Sequence, residues 1–370
     1  MDKIFIIYVP GSELTQIHER TTWLYIPRSF KDLGYYSAII CGKYSLKSSY
    51  GIEVHSTLPR NKSLLKSLIE PFLGFRYIFR LEPDILLISP IGSYLFSIIP
   101  LILIYKMYTK VTRSKRTKII LKTDWSLEFI NMGKYKKALS ILLLILSSHV
   151  FDRVSLETYC GIKKAKAIPF IKARILERVP VGFPQNINFN FPEDTNRKNR
   201  ILCVARITQM KGQIILLKSF LNLFQKYPEW ELRFIGPVED SDYKRQLDSL
   251  IHENHVENRV LFTNFVEENI LLNELRWASI FCLPSVFGES AGNVKYEAIV
   301  AGLPVLSTDV PCREDDEELG LLVSKAGDVN DLTKNLEILI RDPQMRRNIA
   351  EGSRKKIVSY RDLAILYRDL

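Results

Sequence analysis

"GESAGNVKYEAIVAGLPVLSTD", running from Gly288 to Asp309, decides the fold. Its apolar positions describe a helix that starts near Asn293 and stops at Gly302 and Pro304. An apolar strand, "ASIFCLPS" at 278–285, leads into it, and a second, "LPVLSTD" at 303–309, follows. Strand, helix and strand at this spacing form a βαβ unit, the building block of a parallel sheet. The loop at 286–292 ends in Gly292, which permits a tight turn, so the free N–H groups of the first helical turn can face a ligand. Two glutamates bracket that helix start, Glu289 in the loop and Glu297 about one turn inside. Near a helix N-terminus a carboxylate complements the dipole for under about 1 kcal/mol. That accounts for Glu297 and offers no reason for Glu289.

The same alternation runs through the whole chain. In the first half the strand candidates are 4–9, 37–41, 85–89, 117–121 and 150–154, and "TTWLYIPRSFKDLGYY" is a helix stopped at Gly34. In the second half "RILCVAR", "ELRFIGP" and "RVLFTNF" precede the two strands already named. A chain of 370 residues is too long for one ordinary core. The Pro/Asn-rich stretch at 184–200 reads as a linker. The expected fold class is α/β: two Rossmann-like, doubly wound parallel-sheet domains facing each other across a cleft, at 1–190 and 191–355. A last helix, 356–370, closes the chain. In such sheets ligands sit at the carboxyl ends of the strands.

Composition narrows the function classes. Hydrophobic content of 46% and charged content of 25% are those of an ordinary folded chain. The five cysteines at 41, 160, 203, 282 and 312 form no CxxC pair and read as free buried thiols of a reducing compartment. "MDKIFIIYVPGS" reads as a first strand rather than a signal peptide. Residues 1–190 carry 28 Lys and Arg against 13 Asp and Glu, whereas residues 191–370 carry 24 against 28. A basic half suits nucleic acid, an anionic lipid surface or an anionic substrate, and charge alone does not choose among them.

The candidate chemistry lies in the second half. "RILCVARITQMKGQIILLKSF" is a strand ending at Arg206, a loop, and a helix opened by Lys211 and Gly212. Two cations flanking a loop at a helix N-terminus suit a diphosphate, because N–H groups and dipole already favour negative charge there. Strand-ending Arg and helix-starting Lys are also ordinary surface features. Gly236 ends the next strand and lets a ligand approach the backbone. Phe265 and Val266 open a loop suited to packing on a nucleobase.

Taken together, "VARITQMKGQIILLKSF", "LRFIGP", "LPSVFGESAGNVKYEAIVAGLPVLSTD" and "LGLLVSKAGDVNDLTKNLEILIRDP" resemble the successive blocks of retaining glycosyltransferase family 4 (glycosyl transferases group 1), a family with the GT-B fold. The resemblance covers about 200–370, extends less closely over 110–190, and is topological before that. It implies a donor substrate that is a nucleotide diphosphate sugar and no metal or other cofactor. It implies that Glu289 contacts the transferred sugar and Glu297 the ribose, as the two carboxylates of an E-x7-E pair. Arg206 and Lys211 match the cations that neutralise the leaving diphosphate, and Gly292, Asn293 and Val294 the backbone around donor sugar and phosphates. "VSYRDLAILYRDL" resembles the closing helix that crosses back onto the N-terminal domain. The sequence departs from the family in three places. "VPGSELTQ" has only Gly11 where glycines are commonly paired, Asp124 or Trp125 stands where a histidine is common, and "PCRED" replaces glycines after "STDV".

Other motifs do not compete. Asp240 and Asp242 in "EDSDY" read as a capped turn rather than a metal pair, and His252 and His255 as surface residues. No GxxxxGK[ST], HExxH or GxSxG occurs. Two alternatives remain, a nucleotide-sugar 2-epimerase on the same fold and a basic nucleic-acid-binding protein, the latter without a recognition motif. Twenty-one uncharged residues at 85–105 approach the length of a spanning helix, but Pro90, Gly92 and Pro100 interrupt them. They are expected to form a strand and a largely buried helix. The basic residues at 106–122 and at 134–137 adjoin aliphatic helices, an arrangement that suits docking on an anionic membrane surface. The expectation is a cytoplasmic enzyme, peripheral on the inner face of the cell membrane. It would act on a hydroxyl acceptor, lipid-linked or a cell-surface glycan precursor, and bind no nucleic acid.

Overall fold

Phe5, Ile6, Ile7, Tyr8 and Val9 are all fully buried, which only a strand covered on both faces permits. Their side chains alternate. Ile6 and Tyr8 enter one apolar cluster, and Phe5, Ile7 and Val9 another. The computed structural model describes residues 3–14, 22–45, 51–57, 64–89, 94–123, 134–183, 197–287, 292–310 and 313–370. The chain divides into two compact units, the boundary falling at 185/186 and again at 357/358.

The first unit runs β1 (Ile4–Leu14), α1 (Thr22–Asp32), β2 (Tyr36–Tyr44), β3 (Glu53–Ser56), α2 (Leu64–Leu81), β4 (Ile85–Ile88) and α3 (Leu95–Val111). It continues with β5 (Lys118–Thr123), α4 (Lys134–Val150), β6 (Arg153–Leu156), α5 (Tyr159–Lys166), β7 (Leu176–Arg178) and β8 (Gly182–Phe183). The second unit holds β9 (Arg200–Val204), α6 (Gln213–Leu221), β10 (Glu231–Ile235), α7 (Ser241–Glu253), β11 (Val260–Thr263), α8 (Glu268–Trp277) and β12 (Ile280–Leu283). There follow α9 (Asn293–Val300), β13 (Val305–Thr308), α10 (Arg313–Leu319), β14 (Leu322–Ser324), α11 (Val329–Arg341) and α12 (Pro343–Arg354). The chain ends with β15 (Val358–Ser359) and α13 (Tyr360–Asp369), which belong to the first unit.

Both main sheets are parallel and share one order. The first is β3-β2-β1-β4-β5-β6-β7 and the second β11-β10-β9-β12-β13-β14. In each, the order reverses beside the unit's first strand, the topological switch point at which doubly wound sheets bind ligands. One face of the first sheet packs on α2, α3 and α4. The other packs on α1 and α13, where the Tyr25 and Tyr360 rings stack.

Several expectations shift. The strand expected at 150–154 starts at Arg153, because α4 runs on to Val150. Asp152 between them accepts a bond from the Ile119 N–H at 2.9 Å. No glycine or proline stands in "SSHVFDRV", 147–154, to mark that boundary in the sequence. Of the linker expected at 184–200, residues 184–196 lie outside the described residues, and its far end is structured. Arg200 opens β9, and the Arg197 guanidinium donates to the carbonyls of Leu275, Arg276, Ala278 and Ala301. Cys41, Cys203 and Cys282 are free and buried, whereas half-buried Cys160 is disulfide-bonded. Cys312 lies outside the described residues. The run at 85–105 does give strand and helix, but α3 is only partly buried, with Leu103, Ile104 and Met107 exposed. Among the described residues no helix is long and apolar enough to cross a membrane.

Candidate donor site in the second unit

At the switch point of the second sheet, β9 and β12 lie side by side and their exit loops are tied together. The Val286 N–H donates to the Met210 carbonyl at 2.9 Å. A side chain on Gly212 would strike the Pro284 carbonyl, so glycine with φ +66° is what lets these loops meet. Gly212 caps α6 in the left-handed conformation, after a short 3-10 turn that carries Lys211.

Arg206 leaves β9 exposed, and its Nη1 donates to Glu239 Oε2 at 2.9 Å. Beneath it, buried Gln213 donates from Nε2 to the Arg206 carbonyl at 2.8 Å, holding the loop from behind. The exit of β10 is stitched to the same loop by a parallel bridge between Ile207 and Val238. Not every N–H of the first α6 turn points outward. The Ile214 N–H donates to the buried Tyr243 hydroxyl at 2.8 Å, and burial pushes that phenol up to about 12.

Gly236 reads differently in three dimensions. A Cβ there would lie 2.1 Å from the Ala205 carbonyl, so the chain's own close approach accounts for the glycine without a ligand. Its N–H donates to Thr263 at the end of β11, at 3.0 Å. Beyond that strand Phe265 is 66% exposed and Val266 half-buried.

Across the switch point α9 starts at Asn293, with Gly292 at its cap in the left-handed conformation, φ +67°. The helix is thus seated as expected, and Asn293 and Val294 lead it. Glu297 lies one turn inside and is half-buried. Glu289 lies outside the described residues, as do Asp124, Trp125 and the "PC" of "PCRED". The described candidates therefore gather on one carboxyl edge, although the sequence spreads them over ninety residues.

Sequence reasoning missed what seats α9. Lys295, in its first turn, is buried and paired with the buried carboxylate of Asp316 on α10. The signal was a lysine inside an apolar helical pattern, but its partner lies 21 residues on. Glu239 and Gln213 were missed for the same reason.

The discarded motifs behave as expected. Asp240 caps α7, accepting the Tyr243 N–H at 2.9 Å, and Asp242 pairs with Arg245 on the same helix. His252 and His255 are exposed.

Residues 185–356, nearly the whole second unit, match the family model described as glycosyl transferases group 1. The second unit is a glycosyl transferases group 1 domain. Curated relatives include an uncharacterized glycosyltransferase of Haemophilus influenzae, 30% identical over 158 residues. That match covers 42% of this chain and 43% of the relative. A phosphatidyl-myo-inositol mannosyltransferase of Mycobacterium leprae is 29% identical over 147 residues, 39% of this chain and 37% of the relative. The chain thus spans less than half the length of these relatives. Solved structures match nearly end to end. HepE of Anabaena, in complex with UDP and glucose, has a TM-score of 0.71 at 15% identity, covering 99% of this chain and 98% of that one. A glycosyltransferase of Rickettsia africae has a TM-score of 0.73 at 14% identity, covering 100% and 99%. The architecture is the GT-B fold.

Proposed function

We propose that the protein is a retaining glycosyltransferase moving a sugar from a nucleotide diphosphate sugar to a hydroxyl acceptor. The observation that carries this is the junction at the switch point, where the Arg206–Lys211 loop is bonded to Val286 at the exit of β12, the strand that precedes the glycine-capped start of α9, in a glycosyl transferases group 1 domain. In this reading Arg206 and Lys211 neutralise the diphosphate as the glycosidic bond breaks, the kind of stabilisation that raises kcat. The N–H groups at the start of α9 add to it. Glu297 accepts bonds from the ribose hydroxyls, Glu289 from the transferred sugar, and Phe265 with Val266 packs on the base. With two cations and helix N-termini on the diphosphate, turnover needs no divalent metal.

The donor class draws support from HepE, whose structure holds UDP and glucose. The acceptor is a lipid-linked sugar or a cell-surface glycan precursor, met by an enzyme peripheral on the inner face of the membrane. Support comes from the basic first unit and from a relative named for phosphatidyl-myo-inositol. Neither the epimerase nor the nucleic-acid-binding alternative gains an observation from the fold.

The test is a panel of nucleotide sugars incubated with the full chain, with and without lipid acceptors. Nucleoside diphosphate released only in the presence of acceptor is expected, with the anomeric configuration kept in the product. An epimerised sugar formed without acceptor, or no thermal stabilisation by any nucleotide sugar, overturns the proposal.

A further inference from the structure

Over residues 95–105 α3 is apolar on every side, a pattern that belongs to a buried helix. It is not buried. Only the side bearing Ile98, Ile102 and Tyr105 enters the core, while Phe96, Leu103, Ile104, Met107 and Val111 are exposed, the last by 81%. Among the described residues 21 large apolar side chains are exposed, and twelve of them lie on α2, α3 and α4. These helices pack side by side, so the exposure concentrates on one face of the first unit. Scattered apolar side chains need no explanation, but a concentrated face does.

Cations border the far end of this face. Two cavities of about 440 Å³ each open at the C-terminal end of α3 and share Lys106, Arg116 and Asp152. One is lined further by Arg153, Lys172 and Arg174 and the other by Lys110 and Arg113, and among the described residues Asp152 is the only acid in either lining. Lys106 spends its charge on Asp152 at 2.9 Å. Arg116 reaches it only at 3.8 Å, and Lys172 and Arg174 have no ion pair among the described residues. Asp152 and Thr117 precede β6 and β5, so the cavities lie at the amino edge of the sheet, away from its ligand-binding carboxyl edge.

The rim carries a further apolar group. Phe170 is 85% exposed at φ +66°, a backbone conformation that bulky residues rarely adopt. His149 Nε2 at the end of α4 lies 3.0 Å from the Phe170 carbonyl, and the Lys172 N–H donates to Ser148 Oγ at 3.0 Å. The loop is thus tied to α4 while its ring stands in solvent.

We propose that the α3–α4 face is the docking surface for an anionic phospholipid bilayer. Leu103, Met107, Val111 and Phe170 enter the acyl boundary, and Arg116, Lys172 and Arg174 hold headgroup phosphates in the cavity beside them. Exposed apolar groups flanked by cations are what an interfacial surface of anionic lipid selects. The apolar stripe runs the length of α3, about 25 Å at 1.5 Å per residue. The surface so defined differs from the basic run at 134–137, where the side chains of Lys134 and Lys136 are outside the described residues. The inference rests on the membrane part of the proposed function and specifies its face; it is independent of the donor chemistry.

Co-sedimentation of the full chain with phosphatidylcholine vesicles, with and without phosphatidylglycerol, tests it. Binding only to the anionic vesicles, weakened by salt, is expected. Each cation near such a surface is worth about a fivefold change, so Arg116→Gln with Arg174→Gln should lower partitioning about thirtyfold. Phe170→Ser with Val111→Ser should lower it at unchanged charge. All four positions are exposed, so folding, read from the melting curve, should persist. Two outcomes overturn the proposal: wild-type chain left in the supernatant with both vesicle types, or variants that sediment like wild type. Acceptor-dependent release of nucleoside diphosphate in detergent, where no bilayer is needed, separates a failed docking surface from a failed glycosyltransferase.

Discussion

Lys295→Met leaves the Asp316 carboxylate without its cation in a place that holds little water. The two side chains are only 3% and 2% exposed, so solvent cannot replace the lost partner. Removing one member of a buried pair costs about 3–5 kcal/mol, most of it the desolvated charge left behind. The second unit spans 186–357, and at that size each kcal/mol moves the melting midpoint by roughly 2–4 °C. Lys295→Met should therefore lower the midpoint of this unit by roughly 6–20 °C. Lys295→Met with Asp316→Leu removes both charges, and such replacements are often neutral or stabilising. The double variant should recover most of the loss. Scanning calorimetry reads the midpoint, and titration with a nucleotide sugar reads the donor site. The stem of Lys295 lies against Gly292, 3.6 Å from where a Cβ would stand, so the single variant should also weaken donor binding by loosening the start of α9. A single variant melting within about 2 °C of wild type, less than one kcal/mol at this size, would refute the claim that this pair seats the helix.

Glu297→Ala should weaken nucleotide-sugar binding by about 1.5–3 kcal/mol, the worth of a charge-assisted hydrogen bond, with the fold intact; unchanged affinity by calorimetric titration removes Glu297 from the site. Arg206→Ala and Lys211→Ala should each lower kcat, Lys211→Ala more mildly because an arginine can clamp two oxygens at once. Activity that EDTA abolishes and Mg²⁺ restores would contradict the reading of these cations as sufficient. In the first unit buried Glu70 accepts bonds from Tyr8 Oη at 2.8 Å and Thr57 Oγ1 at 2.6 Å. Burial nevertheless holds its carboxyl above the ordinary range. The folded state thus keeps this proton more tightly than the unfolded one, so stability falls as pH rises from the ordinary carboxylate range to the raised value. Glu70→Gln should flatten that part of a stability-against-pH curve, and an unaltered slope would show that Glu70 is not its source.

Periodicity carried far in this chain. A parallel strand is buried on both faces, so its apolar run is short and continuous, while its covering helix needs only a stripe. That contrast survives in the sequence, and the alternation of "RILCVAR", "ELRFIGP" and "ASIFCLPS" with helical stretches was enough to specify a doubly wound sheet. Gly34, Gly292 and Gly302 mark chain reversals legible for a similar reason, since left-handed backbone selects one residue type. The excess of positive charge in the first half was legible too, being a property of composition.

Whatever depends on which surfaces meet was left to the tertiary structure. The end of α4 at Val150 is decided by Asp152 bonding across to β5, not by any local breaker. The strand β3 is a short edge strand with a half-exposed pattern and so carries no clear period. Gly236 suggested a ligand's approach in the sequence and proved to accommodate the Ala205 carbonyl. The exposure of α3 was decided in the same way. Its residues are apolar enough to be buried, but α3 lies between α2 and α4 in the layer covering the sheet, and the side turned away from that core faces out. Propensity and spacing act within a few residues of one another. Burial and ion pairing act between residues that the fold makes neighbours, as it does Lys295 and Asp316.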